Sequence, residues 1–171
     1  NEDKDLVKYF KKLNTDVKFE LHLMVSNPST DIQKWKGVEN VFRVIFHIES
    51  HDDPKKIISL IKDNGWKIGI AINPETEIDK IMPFINDIDV LQFMTVVPGK
   101  QGNPFVENVG KKIQKIGKLD NKPLLAVDGG INEDNIVLIK NWGTDIFNVG
   151  SALMNHNDMK EVHDKLCNLI K

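Results

Sequence analysis

The densest chemistry in this chain is at Asp128-Gly129-Gly130, which ends the apolar run Leu124-Leu125-Ala126-Val127. An aspartate at a strand end can remove a proton next to a carbonyl, ligate a divalent metal, or do both. The two glycines after it leave bare backbone that can approach a phosphate. A second junction follows, where Ile146-Phe147-Asn148-Val149 runs into Gly150-Ser151. Backbone N–H groups and a helix N-terminus would supply positive potential at such turns. Two successive strand ends of this kind, one carrying an acid, are what a sugar-phosphate site in a (β/α) barrel needs. A capping role for Asp128 is weakened because Asn132 already fits the cap and opens a helix-like segment.

Other residues could join that chemistry. His22 stands in Leu21-His22-Leu23-Met24-Val25. A single histidine in an apolar strand is usually a hydrogen-bonded core residue, but at a barrel rim it could ligate a metal through a ring nitrogen. His47, in Phe46-His47-Ile48-Glu49, reads the same way with a weaker signal. Met24 and Met94 end apolar runs, and core packing is the usual role of methionine. Facing a pocket, they would make a soft apolar wall. Residues 98–105 form a long glycine-punctuated loop containing Gly99, Lys100, Gln101 and Gly102, and loops of this kind serve as lids or phosphate contacts.

The elements that must position these residues alternate strictly. Short β-branched or aliphatic runs, at 17–24, 41–47, 67–72, 90–96, 124–127 and 146–149, predict strands. Amphipathic stretches near 29–37, 54–64, 76–86, 105–118, 133–141 and 158–170 predict helices, after a first one carrying Leu6, Tyr9, Phe10 and Leu13. Alternation of this kind means a parallel sheet with right-handed crossovers. A doubly wound open sheet gathers its ligands at one switch point. Here His22, His47, Met94, Asp128 and Gly150 fall at the ends of several different strands, which favours a barrel. About six strand–helix units can be read, against the eight of a closed barrel. No linker or low-complexity stretch divides the chain, so residues 1–171 are expected to be one partial TIM-barrel domain.

Composition narrows the classes. The 171 residues are 40% hydrophobic and 28% charged, with a net charge of −2. That argues against a nucleic-acid or anionic-membrane partner. There is no apolar run near ~18 residues and no signal peptide. The one cysteine, Cys167, fits a reducing cytoplasm and lies in a helical pattern. The chain opens at Asn1 and enters an amphipathic pattern at once, so the expectation is a fragment or a processed chain. Six units leave two open parallel edges, which predicts a further segment or a covering partner and allows a homo-oligomer.

Taken together, these motifs resemble the ribulose-phosphate 3-epimerase family. The matching runs are Leu21-His22-Leu23-Met24-Val25-Ser26-Asn27-Pro28, Phe46-His47-Ile48-Glu49, Gly69-Ile70-Ala71-Ile72-Asn73-Pro74, Met94-Thr95-Val96-Val97-Pro98-Gly99, Val127-Asp128-Gly129-Gly130-Ile131 and Val149-Gly150-Ser151-Ala152-Leu153-Met154. The resemblance implies a (β/α)8 TIM barrel of the ribulose-phosphate-binding type, here incomplete. It implies interconversion of D-ribulose 5-phosphate and D-xylulose 5-phosphate by metal-assisted proton transfer at C3, within the pentose phosphate pathway. By motif, Asp128 would be an acid/base and a metal ligand, and His22 a second ligand. Gly129, Gly130, Gly150 and Ser151 would hold the phosphate, Gly99 to Gly102 would close over it, and Met24 and Met94 would wall the pocket. The metal would be Zn, or Fe, Mn or Co, in the complete family site.

The chain also departs from the family. The first two strand units, with their serine-containing strand and His-x-Asp-x-Met-Asp-Gly run, have no counterpart here. They supply the second catalytic aspartate and two further ligands. Lys100 and Gln101 stand where the family has an aromatic residue and a glycine, and Val97 stands where it usually has glutamate. The expectation is therefore weak or absent metal binding and an inactive or nearly inactive chain. The alternatives are a sugar-phosphate-binding barrel without catalysis, and an epimerase for another ketose phosphate such as allulose 6-phosphate.

Overall fold

The computed structural model describes residues 2–13, 15–97 and 104–171. Six strands form one sheet in sequential order: β1 (Phe19–Leu23), β2 (Val41–His47), β3 (Lys67–Ile72), β4 (Val90–Met94), β5 (Leu124–Asp128) and β6 (Ile146–Asn148). Every neighbouring pair is parallel. The helices are α1 (Glu2–Lys12), α2 (Pro28–Trp35), α3 (Pro54–Asp63), α4 (Val109–Ile116), α5 (Ile136–Asn141), α6 (Ser151–Met154) and α7 (Met159–Leu169). The expected βα alternation holds through all six strands, with one exception.

That exception follows β3. The helix expected at 76–86 is two 3-10 turns, Ile78–Lys80 and Met82–Asp87. Pro83 lacks an N–H and cannot continue a helical ladder. Lys112 of α4 donates to the carbonyls of Pro74 and Thr76, at 2.6 and 2.7 Å, and ties this segment down. Several boundaries also shift inward. α5 begins at Ile136, because Asn132 forms a side-chain turn instead, its Oδ1 accepting the Asp134 N–H at 2.9 Å.

The strands alternate with period two. Val44 and Phe46, Ile68, Ile70 and Ile72, Leu91 and Phe93, and Leu125 and Val127 join the core under the helices. Ile32, Ile57, Ile61, Ile113 and Ile139 meet them from the helix side, all fully buried. Each such side chain stabilises the fold by roughly 1.5–3 kcal/mol. The opposite parity forms the other face: Ile45, Gly69, Ala71, Gln92, Met94, Ala126 and Asp128. Apart from Ile45 these are small, soft or polar residues, so the sheet is not uniformly apolar on both sides.

The polar face is concave. In a flat sheet β1 and β5 would lie about four strand spacings apart, or ~19 Å. Yet the His22 Nδ1 of β1 lies 3.2 Å from the Asp128 Oδ2 of β5. The sheet must curl until its outer strands face each other, as in an open (β/α) barrel. Inside the lower end, Arg43 of β2 hydrogen-bonds Glu20 of β1. At the rim where strands begin, one device appears twice. Asp89 accepts the Ile68 N–H at 2.8 Å and pairs with Lys67, and Asp145 accepts the Leu125 N–H at 2.9 Å and pairs with Lys122. Each carboxylate pins the start of its own strand to the one before.

Candidate functional site

Parallel pairing sets the site residues on common levels. Met94, Asp128 and Asn148 occupy one rung across β4, β5 and β6. All three are at strand C-terminal ends, the end at which barrel enzymes place their chemistry. His22 and Asp128, expected to act together, do meet, at 3.2 Å. The side chain of Asp128 is 26% exposed, so it reaches the mouth of the concave face.

Between them lies Gln92, a residue the sequence reading did not select. It is fully buried, two residues below Met94 on the same face of β4. Its Nε2 is 3.1 Å from Asp128 Oδ2, 3.1 Å from His22 Nδ1, and 3.7 Å from Met94 Sδ. Its Oε1 accepts the Asn148 amide at 2.8 Å. The signal was present in the sequence as one amide in Val-Leu-Gln-Phe-Met, at the same parity as Met94. Asn148, a single amide in Ile-Phe-Asn-Val, carried the same signal.

On its other side His22 meets His47. The ring planes lie within 10° of parallel with centroids 5.0 Å apart, and the rings meet end to end with their Nε2 atoms 2.8 Å apart. Behind His47, Nδ1 lies 3.4 Å from Glu49 Oε2. Glu49 Oε1 accepts the Asn73 N–H at 2.9 Å and the Thr76 hydroxyl. Burial pushes the Glu49 carboxyl up, but its bonds with His47, Thr76 and the Asn73 amide outweigh this and bring it down to about 2. The carboxylate is therefore ionised at the back of the site.

The two glycine turns follow on the same level. Gly129 and Gly130 have φ of +117° and +67°, a region that side chains rarely enter. A Cβ on Gly129 would lie 2.6 Å from Val96. Thr95 fastens the turn, its hydroxyl donating to the Gly129 carbonyl at 2.5 Å, and Asn135 Nδ2 donates to the Gly130 carbonyl at 2.9 Å. Gly150 and Ser151 begin the four-residue α6, both exposed, two residues past the rung that joins Asp128 to Asn148. The glycine turns thus lie side by side at the ends of neighbouring strands.

The predicted wall residues separate. Met94 is buried beneath the mouth, whereas Met24, just past β1, is 63% exposed. The predicted lid residues Gly99, Lys100, Gln101 and Gly102 lie outside the described residues.

His22 Nδ1 and Asp128 Oδ2 are donors of the type a divalent metal takes. Both already face the Gln92 amide, and among the described residues no group of three or more His, Cys, Asp or Glu could hold a metal ion. Three protein ligands are the usual minimum for a catalytic zinc. The donor set among these residues does not fit a resident metal. No helix among them is long and apolar enough to cross a membrane.

Comparison with known proteins agrees with this geometry. Among solved structures, 3-hexulose-6-phosphate synthase from Salmonella typhimurium superposes with a TM-score of 0.70 at 15% identity, covering 98% of this chain and 77% of that one. A mutant tryptophan synthase alpha-subunit from Pyrococcus furiosus gives 0.65 at 13% identity, over 97% of this chain and 70% of the other. At such identities the likeness shows the barrel fold alone. Sequence relatives are nearer. Ribulose-phosphate 3-epimerase of Buchnera aphidicola subsp. Baizongia pistaciae is 39% identical over 140 residues, which is 80% of this chain and 61% of that protein. The ribulose-phosphate 3-epimerase of Methanocaldococcus jannaschii is 35% identical over 161 residues, 91% of this chain and 66% of the relative. That of Bacillus subtilis is 31% identical, over 86% of this chain and 70% of the relative. The chain thus spans roughly 61 to 70% of the length of these relatives. The sequence model of the ribulose-phosphate 3 epimerase family matches residues 3–154, and the chain belongs to that family.

Proposed function

We propose that this chain carries the proton-transfer and phosphate-holding parts of a ketopentose-phosphate 3-epimerase acting on D-ribulose 5-phosphate. The observation that carries the reading is the position of Asp128, a partly exposed carboxylate at the mouth followed directly by the two left-handed glycines. In this reading Asp128 takes the proton from C3 of the substrate. The C3–H electron pair moves into the C2–C3 bond and the carbonyl oxygen takes the negative charge, giving an enediolate. Return of a proton to the opposite face of C3 completes the inversion.

The glycine turns at Gly129-Gly130 and Gly150-Ser151 bind the phosphate through backbone N–H groups, as anion sites of this type do. Met94 supplies an apolar floor and Met24 an edge of the mouth. Gly99, Lys100, Gln101 and Gly102, outside the described residues, enter this reading as phosphate-binding residues on the family motif alone. In the complete family site a divalent metal would supply Lewis-acid stabilisation of the enediolate oxygen.

Deuterium exchange tests this directly. One acid/base suffices to exchange the C3 proton of D-ribulose 5-phosphate with solvent D2O, even where inversion does not follow. The expected result is C3 deuteration catalysed by this chain and lost in Asp128→Asn. Binding of ribulose 5-phosphate without exchange would overturn the catalytic reading and leave a sugar-phosphate-binding barrel. Failure to bind would sink both.

A further inference from the structure

Helix α7 carries a cluster that the candidate site does not use, and it lies beyond residues 3–154, the part matched by the family model. His163 and Cys167 are four residues apart on this helix, so their side chains share a face. The His163 Nε2 lies 3.5 Å from Cys167 Sγ. His163 has 63% of its side chain open to solvent, and Cys167 is half-buried. The helix beneath them is fixed. Val162 and Leu166 are buried in the core, and the Asp158 side chain caps the helix start by accepting the Glu161 N–H at 2.9 Å.

Imidazole nitrogen and thiolate sulfur are the donors that zinc-type cations take. With bonds of about 2.0 Å to nitrogen and about 2.3 Å to sulfur at a tetrahedral angle, the two ligand atoms stand roughly 3.5 Å apart. The separation in α7 matches that span, so the pair can receive an ion with little movement. An S–H···N contact accounts for the same spacing in the free chain, and the ion would take the place of its proton. The ring is also oriented for this task. Its far nitrogen, Nδ1, lies 3.3 Å from Asp164 Oδ1, and Asp164 Oδ2 in turn meets Lys160 Nζ at 2.5 Å. A carboxylate behind a histidine is the usual outer support of a metal-bound imidazole.

We propose that His163 and Cys167 form a two-point site for a zinc-class divalent cation, with Asp164 orienting the imidazole and water filling the remaining positions. Binding forms one metal–sulfur and one metal–nitrogen bond, and the thiol proton leaves to solvent. Among the described residues no group of three His, Cys, Asp or Glu side chains could hold an ion. The cation is therefore exchangeable, unlike the three-ligand ion of a catalytic zinc centre. The site stands on the surface of α7 and does not depend on the epimerase reading.

Titration of the reduced full chain with Co2+ tests the proposal. Cys167 is the one cysteine in the sequence, so a thiolate-to-cobalt charge-transfer band in the near ultraviolet reports this site alone. The band should rise to saturation at one Co2+ per chain. Zn2+ binds such donors more tightly than Co2+ and should bleach it. Cys167→Ser should abolish the band. Asp164→Asn should weaken Co2+ binding by about tenfold or more, the usual result of losing an outer support, and His163→Ala by at least as much. Each variant leaves the buried anchors Val162 and Leu166 in place, so circular dichroism should be unchanged. Absence of the band under a large excess of Co2+ would overturn the proposal. So would an equally tight band in His163→Ala, which would mean that the thiol alone takes the ion. Unchanged affinity in Asp164→Asn would overturn the orienting role of that carboxylate.

Discussion

The Glu49 carboxylate lies directly behind the His47 ring, with Oε2 3.4 Å from Nδ1, while its other oxygen takes the Asn73 N–H and the Thr76 hydroxyl. Its folded pKa of about 2 lies below the ordinary 4.5. A depressed carboxyl favours the folded state above pH 4.5, and that advantage is lost as the pH falls from 4.5 toward 2. A shift of this size corresponds to at most about 3 kcal/mol. Urea midpoints measured across acid pH should fall through this window, and Glu49→Gln should flatten the decline. An unchanged acid profile in Glu49→Gln would refute this.

Asp128→Asn keeps size and shape and removes the charge. If Asp128 moves the C3 proton, exchange and any epimerisation should fall by about 10²–10⁴-fold. The melting temperature should change little, because the side chain is partly exposed and its Oδ2 partner, the Gln92 amide, is also held by Asn148. Retained exchange would move the acid/base role elsewhere.

Gly129→Ala meets two obstacles at once: a backbone φ of +117° and a Cβ placed 2.6 Å from Val96. Strain of this kind costs about 1–3 kcal/mol, and the turn proposed to hold the phosphate must shift to relieve it. Calorimetry should show both a lower melting temperature and weaker binding of ribulose 5-phosphate.

The opposite rim should behave differently. Asp89→Ala leaves the Ile68 N–H without its acceptor and should cost about 1–3 kcal/mol of stability. It lies at the beginning of the strands, far from Asp128, so affinity for the sugar phosphate in the folded fraction should be unchanged. A binding defect matching that of Gly129→Ala would refute the separation of rims.

Sequence periodicity carried most of the architecture. Runs such as Val41–His47 and Lys67–Ile72 announced themselves by continuous β-branched content, and both have the bounds expected of them. The segment after β3 did not, because its apolar residues Ile78, Ile81 and Ile85 keep helical spacing while Pro83 enforces tight 3-10 turns. The site was half legible. Asp128, Gly129, Gly130 and Gly150 stand at junctions where an apolar run stops, and a sequence shows such stops plainly. Gln92 is inside β4 and Asn148 within an apolar run that continues to Val149, where one amide looks like an accident until curvature brings β1 opposite β4 and β5. Pairing across the inside of a curled sheet leaves no periodic trace.

The strands lie in the sheet in the order of synthesis, each beside its immediate predecessor. Assembly can therefore be incremental, with every new strand finding its template already formed and loop-closure costs kept small. The interior amides follow another schedule. His22 waits 70 residues for Gln92, and Gln92 waits 56 more for Asn148. Framework and chemistry thus mature at different times during translation. A nascent chain halted before Asn148 would already hold five paired strands, yet the Gln92 carbonyl would still lack its donor.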